Sequence, residues 1–248
     1  MRYFLKLAYN GKNYHGWQLQ PNASSVQETL EKALSLLLKE NIKIVGAGRT
    51  DSGVHAKEMY AHFDSDVEIN NSYFTAKLNS YLPKDIVIYN IKLVHNEAHA
   101  RFDATSRTYN YHINLFKSPF SINQSWHHSQ DLDVDKMNEA STLLLEYTDF
   151  ECFSKIHTDV FTFNCKITQA KWIKNNHDLI FIITADRFLR NMVRAIVGTC
   201  INVGLQKIKP EDVRTIIESK DRTQAGFSVP AHGLYLTQIT YPYLENSK

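Results

Sequence analysis

The sequence is poor in cysteine. Cys152, Cys165 and Cys200 form neither a CxxC motif nor an even set for disulfides. They read as reduced packing thiols, and their spacing offers no structural zinc site. Long apolar runs are missing too, since no stretch approaches the ~20 residues that cross a bilayer. The opening segment, Met1-Arg-Tyr-Phe-Leu-Lys-Leu-Ala-Tyr-Asn10, is too short and too interrupted for the apolar region of a signal peptide. The expected compartment is therefore the cytoplasm, with no membrane partner. There is no low-complexity segment and no long linker. The net charge is only +2, so bulk electrostatics announce no nucleic-acid binding.

What is present is an ordinary globular balance of 43% hydrophobic and 22% charged residues over 248 positions, which excludes a disordered chain, a fibre or a repeat array. Arginine is placed unevenly. Arg49, Arg101, Arg107, Arg187, Arg190 and Arg194 fall in three short segments, whereas lysine is scattered. Tyr and Phe are plentiful, and flat rings beside arginine suit stacking on bases, although most such rings fill sheets.

Strands and helices alternate through a similar pattern twice. Tyr3–Tyr9 is extended. A helix begins at Ser25, where Ser25-Val-Gln-Glu28 has capping-box spacing, with Val26, Leu30, Ala33, Leu34 and Leu37 as its apolar stripe. Strands follow at Ile42–Val45, Tyr60–Phe63 and Ile86–Leu93, with a helix near Tyr73–Ser80. The second half opens on a strand from Thr108 and a helix capped by Asp133 with Val134, Met137, Leu144 and Leu145 as its stripe. Strands near Phe163–Lys174 and Leu179–Thr184 come next, then helices at about Phe188–Val203 and Pro210–Glu218. The pattern predicts an α+β fold. Two similar halves, 1–105 and 106–248, would form a largely antiparallel mixed sheet, with helices packed on one side and a central active-site cleft.

The sharpest segment is Gly46-Ala-Gly-Arg-Thr-Asp-Ser-Gly-Val-His-Ala56. It is no dinucleotide loop, because Asp51 holds the third glycine position, and no phosphate loop, because it lacks a Gly-Lys-Ser/Thr ending. An acid there would repel phosphate oxygens. What remains is an aspartate on a tight loop beside Arg49, Thr50 and Ser52, which can serve chemistry or merely cap a turn. Glu58 and Asp64 form no recognisable metal set with it. His95 and His99, four apart, lack a third ligand.

Gly48-Arg-Thr-Asp-Ser-Gly-Val-His-Ala56 resembles the signature loop of the TruA family of tRNA pseudouridine synthases. Four further blocks are similar to that family, in order: Tyr9-Asn-Gly-Lys-Asn-Tyr-His-Gly-Trp-Gln18; Ala98-His-Ala-Arg-Phe-Asp-Ala104 with Ser106-Arg-Thr-Tyr-Asn-Tyr111; Phe188-Leu-Arg-Asn-Met-Val-Arg194; and Pro230-Ala-His-Gly-Leu-Tyr-Leu236. The resemblance spans nearly the whole chain. It implies isomerisation of uridine to pseudouridine in the tRNA anticodon stem-loop, at positions 38, 39 and 40, by a homodimer that uses no cofactor and no metal.

The resemblance also assigns residues. Asp51 is the essential catalytic carboxylate, acting as nucleophile on the sugar, nucleophile on the base, or general base. Arg49 fills the space left by an extruded uridine and holds backbone phosphate. Tyr109 stacks on the uracil and places its hydroxyl near the base. Arg194 orients Asp51. Leu234 lines the uracil pocket, and Arg187 and Arg190 contact the RNA backbone. Three and four residues apart, Arg187, Arg190 and Arg194 would share one face at the start of a helix. Tyr111, two residues from Tyr109 on one strand face, is expected in the core. Lys155 in Phe153-Ser-Lys155 also matches a family position.

Overall fold

The computed structural model describes residues 1–155 and 160–244. Its elements run β1 (Arg2–Tyr9), α1 (Val26–Leu38), β2 (Val45–Gly46), β3 (His55–Asp64), α2 (Asn71–Tyr81), β4 (Ile86–Val94), β5 (Ser106–Asn114), β6 (Trp126–His127), α3 (Val134–Leu143), β7 (Ile167–Asn175), β8 (Asp178–Ala185), α4 (Met192–Gly204), α5 (Asp212–Ser219) and β9 (Leu234–Thr240). The fold is α+β with a mostly antiparallel sheet. The chain divides into two compact units, Met1–Thr105 joined by the segment from Leu236, and Ser106–Tyr235. The segment from Leu236 follows the second half in sequence but packs with the first.

In the first unit the strand order is β4-β1-β3-β9, with β2 on β3. Alternate residues of β1, namely Tyr3, Leu5, Leu7 and Tyr9, lie opposite Phe63, Ala61, Met59 and Ala56 of β3 and are buried with them. Ser25 caps α1 by accepting from the Glu28 amide at 3.2 Å. The helix buries Val26, Leu30, Ala33, Leu34 and Leu38. Its polar side settles the segment after it. Ser35 Oγ accepts from the Ile42 amide, Glu31 Oε1 accepts from the Ile44 amide, and Gln27 Nε2 donates to the Ile44 carbonyl. The strand expected over Ile42–Val45 is thus confined to Val45–Gly46, because helix side chains take the backbone groups a sheet partner would use. Helix α2 packs against β4 and α1 and stops before Pro83, with Leu82 extended. Its Asn79 side chain spans Ile88, accepting from the amide at 2.7 Å and donating to the carbonyl at 2.8 Å.

In the second unit β5 pairs antiparallel with β8, β8 antiparallel with β7, and β6 parallel with β5. Tyr111 lies opposite Phe181, and Trp172 lies opposite Phe181 on its other side and stacks on it with centroids 4.7 Å apart. Asp133 caps α3 as expected, but the helix ends at Leu143, and Leu144 and Leu145 lie in a 3-10 turn. The strand expected from Phe163 begins at Ile167, since Phe163 and Asn164 instead serve the segment around Asp149 and Phe150. On α3, Asn138 spans Trp172 as Asn79 spans Ile88: its Oδ1 accepts from the amide at 2.8 Å and its Nδ2 donates to the carbonyl at 3.3 Å. Helix α4 is apolar almost all round, and Arg194 is its one charged residue.

Candidate active site

In the first unit the 46–56 loop is built against the N-terminal block. A Cβ on Gly46 would enter the Trp17 indole, and one on Gly11 would run into the Val54 carbonyl. Gly16 has φ +90° and sits against the Thr50 carbonyl, so both its conformation and its space demand glycine. Tyr9 Oη and Thr50 Oγ1 share a hydrogen bond of 2.9 Å, and the Trp17 amide donates to the Thr50 carbonyl. Ser52 Oγ and the Gly53 amide both donate to the Tyr14 carbonyl. The Val54 amide closes a turn onto the Asp51 carbonyl, with Gly53 at φ +78°. His55 Nδ1 accepts from the Gly11 amide. Asp85 underpins the block, receiving Tyr14 Oη at 2.7 Å and Asn13 Nδ2 at 2.9 Å. Asp51 therefore stands, half-buried, between two residues that are both tied down, and Arg49 on the same loop is exposed.

The second unit holds Tyr109, Arg187, Arg190 and Arg194. Tyr109 is half-buried on β5, edge-on to Phe188 at 5.2 Å. Tyr111 is fully buried and donates through Oη to the Pro230 carbonyl at 2.8 Å; burial pushes its phenol well above the ordinary range. Gly233, just before Leu234, lies against the Tyr111 ring with no room for a Cβ. Leu234 itself is buried at the start of β9. Arg194, in the first turn of α4, is held through reciprocal bonds. Its Nε donates to the Val229 carbonyl at 2.6 Å, and the Val229 amide donates to the Arg194 carbonyl at 3.3 Å. Pro230 and Val229 thus link Tyr111 of β5 to the arginine of α4. The segment carrying them is pressed against the helix where Gly198 meets the Phe227 carbonyl and Thr199 Oγ1 accepts from the Gly226 amide.

The shared arginine face is corrected. Helix α4 starts at Met192, and Asn191 before it takes φ +67° with its side-chain Nδ2 donating to Ser228 Oγ at 2.6 Å. Arg187 and Arg190 therefore lie outside the helix that carries Arg194. Arg187 follows Asp186, whose carboxylate accepts from the Arg187 and Lys166 amides. Arg190 is exposed, and its carbonyl accepts from the Lys155 amide at 3.1 Å, which places Lys155 beside this turn. His99 Nδ1 accepts from the Arg101 and Phe102 amides, so its ring serves the backbone. The three cysteines are buried thiols, with burial raising Cys152 and Cys165 to about 12 and Cys200 to about 11.

Reasoning from residue types overlooked Tyr9, Gly11, Tyr14, Gly16, Trp17 and Asp85 as positioning groups for the loop. The signal lay in paired glycines separated by aromatic residues in Gly11-Lys-Asn-Tyr-His-Gly-Trp17, a spacing that marks close backbone approach.

A family model for tRNA pseudouridine synthase matches residues 7–103 and 143–242. The chain is 53% identical over 242 residues to "tRNA pseudouridine synthase A" of Parabacteroides distasonis, covering 97% of this chain and 96% of that protein. The protein of the same name from Porphyromonas gingivalis is also 53% identical, with 97% of each chain covered. The one from Francisella philomiragia is 40% identical over 97% of this chain and 94% of its own length. The signature loop, its supporting block, Arg194 and Leu234 lie within the matched residues, and the chain belongs to the tRNA pseudouridine synthase family.

Proposed function

We propose that the protein converts uridine to pseudouridine in the anticodon stem-loop of tRNA, at positions 38, 39 and 40, as a cytoplasmic homodimer. The observation that supports this reading best is the rigid mounting of the Arg49–Asp51 loop within a chain of this family. In the reaction the bond from C1′ of the ribose to N1 of uracil breaks, the base turns, C1′ bonds to C5, the C5 proton leaves, and N1 takes up a proton in its place. Atoms are conserved, and no oxidant is needed. Asp51 supplies the carboxylate that stabilises or traps the electron-poor partner. Arg49, exposed on the same loop, serves the extruded nucleotide and its phosphates. Tyr109 offers a ring face to the base and a hydroxyl for the departing proton. Arg194 completes the catalytic groups, Leu234 lines the uracil pocket, and Arg187 and Arg190 contact backbone phosphates. Among the described residues no helix is long and apolar enough to cross a membrane.

The test is incubation of unmodified tRNA with the protein in the presence of a chelator, followed by mapping of pseudouridine by base-specific adduct and primer extension. Stops at 38, 39 and 40 are expected. Unmodified tRNA after prolonged incubation would defeat the reading, and sedimentation at working concentration checks the dimer.

A further inference from the structure

The block Ala98-His-Ala-Arg-Phe-Asp-Ala104 has no part in the chemistry above, yet the first unit builds it with unusual thoroughness. Arg2 Nη1 donates to the Ala98 carbonyl at 3.1 Å. His62 Nδ1 accepts from the Ala100 amide at 3.1 Å, and Tyr241 Oη donates to the Ala100 carbonyl. The His99 amide donates to Asp103 Oδ2 at 2.7 Å, an oxygen that also receives Tyr243 Oη at 2.7 Å. His99 Nδ1 takes the Arg101 and Phe102 amides at 3.1 and 3.2 Å. Ala98 and Ala100 point inward and are fully buried. Phe102 points outward and is 74% exposed. Its ring lies over His99 with centroids 4.2 Å apart at 31°, and the Arg101 guanidinium carbon is 5.6 Å from the Phe102 centroid.

We infer that this turn is a second contact with tRNA, in which an unpaired base stacks on Phe102 and Arg101 engages the neighbouring phosphate. The inference rests on the proposed tRNA reading and adds to it a contact apart from the 46–56 loop. His99 and Arg101 hold the Phe102 ring in place while it stays 74% exposed, so a flat apolar face is presented to solvent already ordered. The chemistry favours RNA over protein. The feature is a single ring with a single guanidinium, the pair that binds a base and its phosphate, and not a broad apolar patch. The one acid of the turn, Asp103, is directed inward onto Tyr243 and His99, which keeps negative charge off the presented face. Preorganisation also means that little side-chain freedom remains to be lost on binding.

The experiment compares parent, Phe102→Ala, Phe102→Leu, Phe102→Trp and Arg101→Gln on one unmodified tRNA, measuring Kd by filter binding and KM and kcat for pseudouridine formation. Phe102→Ala and Phe102→Leu are expected to raise Kd and KM about tenfold, the size of one lost base–aromatic stack, with kcat nearly unchanged. Phe102→Trp should restore both constants. Arg101→Gln should lower the salt dependence of binding by about one counterion. Because Leu keeps apolar bulk without a flat face, it decides the matter should the Ala variant melt early. An inactive parent would defeat the tRNA reading itself. An active parent whose Phe102→Leu variant binds tRNA equally tightly would overturn this inference alone. Loss of self-association with tRNA affinity intact would assign the ring to a second copy of the chain and overturn it as well.

Discussion

Thr50 and Ser52 are tied to Tyr9 and Tyr14 on either side of Asp51, so substitution of the aspartate itself should leave its loop in place. Asp51→Asn keeps size and removes the anion. It should abolish pseudouridine formation while tRNA binding persists, because binding rests on cations meeting phosphate. Turnover within about tenfold of the parent, only ~1.4 kcal/mol in barrier, would remove Asp51 from the chemistry. The two tyrosines of β5 separate in the same manner. Tyr109→Phe keeps the ring beside Phe188 and loses the hydroxyl, so tRNA affinity should hold while product forms slowly. Tyr111→Phe strips a buried partner from the Pro230 carbonyl and should cost about 1–2 kcal/mol of stability, read by urea denaturation. If Tyr111→Phe instead left stability intact and slowed turnover, the roles of the two residues would have to be exchanged. Alternation alone put both rings on one face; the full burial of Tyr111 and its bond to the Pro230 carbonyl set it apart from the half-buried Tyr109.

Elements succeed or fail on their polar ends and edges. Gly16→Ala would combine a left-handed φ with a collision at the Thr50 carbonyl. It should cost roughly 2–3 kcal/mol and lower activity further by shifting the Asp51 loop, measured by melting and by tRNA turnover. The turn after β4 makes a pH prediction. Burial lowers His62 from 6.5 to about 4, with His99 and Arg2 adding to the effect and Asp64 and Asp103 opposing it. The unfolded chain therefore binds the proton first as pH falls. Stability should be lost between about pH 6.5 and 4 and level off below, with a slope of at most ~1.4 kcal/mol per pH unit from this group. His62→Asn, which keeps an acceptor and does not titrate, should flatten that part of the curve, and an unchanged slope would place the titration elsewhere. Caps such as Ser25 and Asp133 were legible in the sequence because capping is a local bargain between neighbours. The limits of β2 and the start of α4 were not. Ile42 and Ile44 are claimed by Ser35 and Glu31 of the preceding helix, and Asn191 turns left-handed to reach Ser228. Those choices depend on partners that a local window does not contain.

At the scale of the molecule, the chain leaves the first unit after Thr105 and returns to it at Leu236. Order along the sequence put this tail with the second half, since no composition shift marks the return. Ending the chain after Tyr235 should remove the strand beside β3 together with Tyr241 and Tyr243. Hydrogen exchange should then quicken in β3 and in the turn around Ala100, while β7 and β8 stay protected. Equal loss of protection in both units would show them to unfold as one. The asparagines of α2 and α3 have a consequence of another kind. Strands β4 and β7 are the outermost strands of their units, and an outermost strand is ordinarily a template for foreign chains. Asn79 and Asn138 each occupy both the amide and the carbonyl of one residue on that margin, at Ile88 and Trp172. A stray β-segment arriving at either margin finds the hydrogen-bond register already interrupted. Replacing Asn79 and Asn138 by alanine should therefore speed fibril growth in concentrated solution, followed by dye fluorescence.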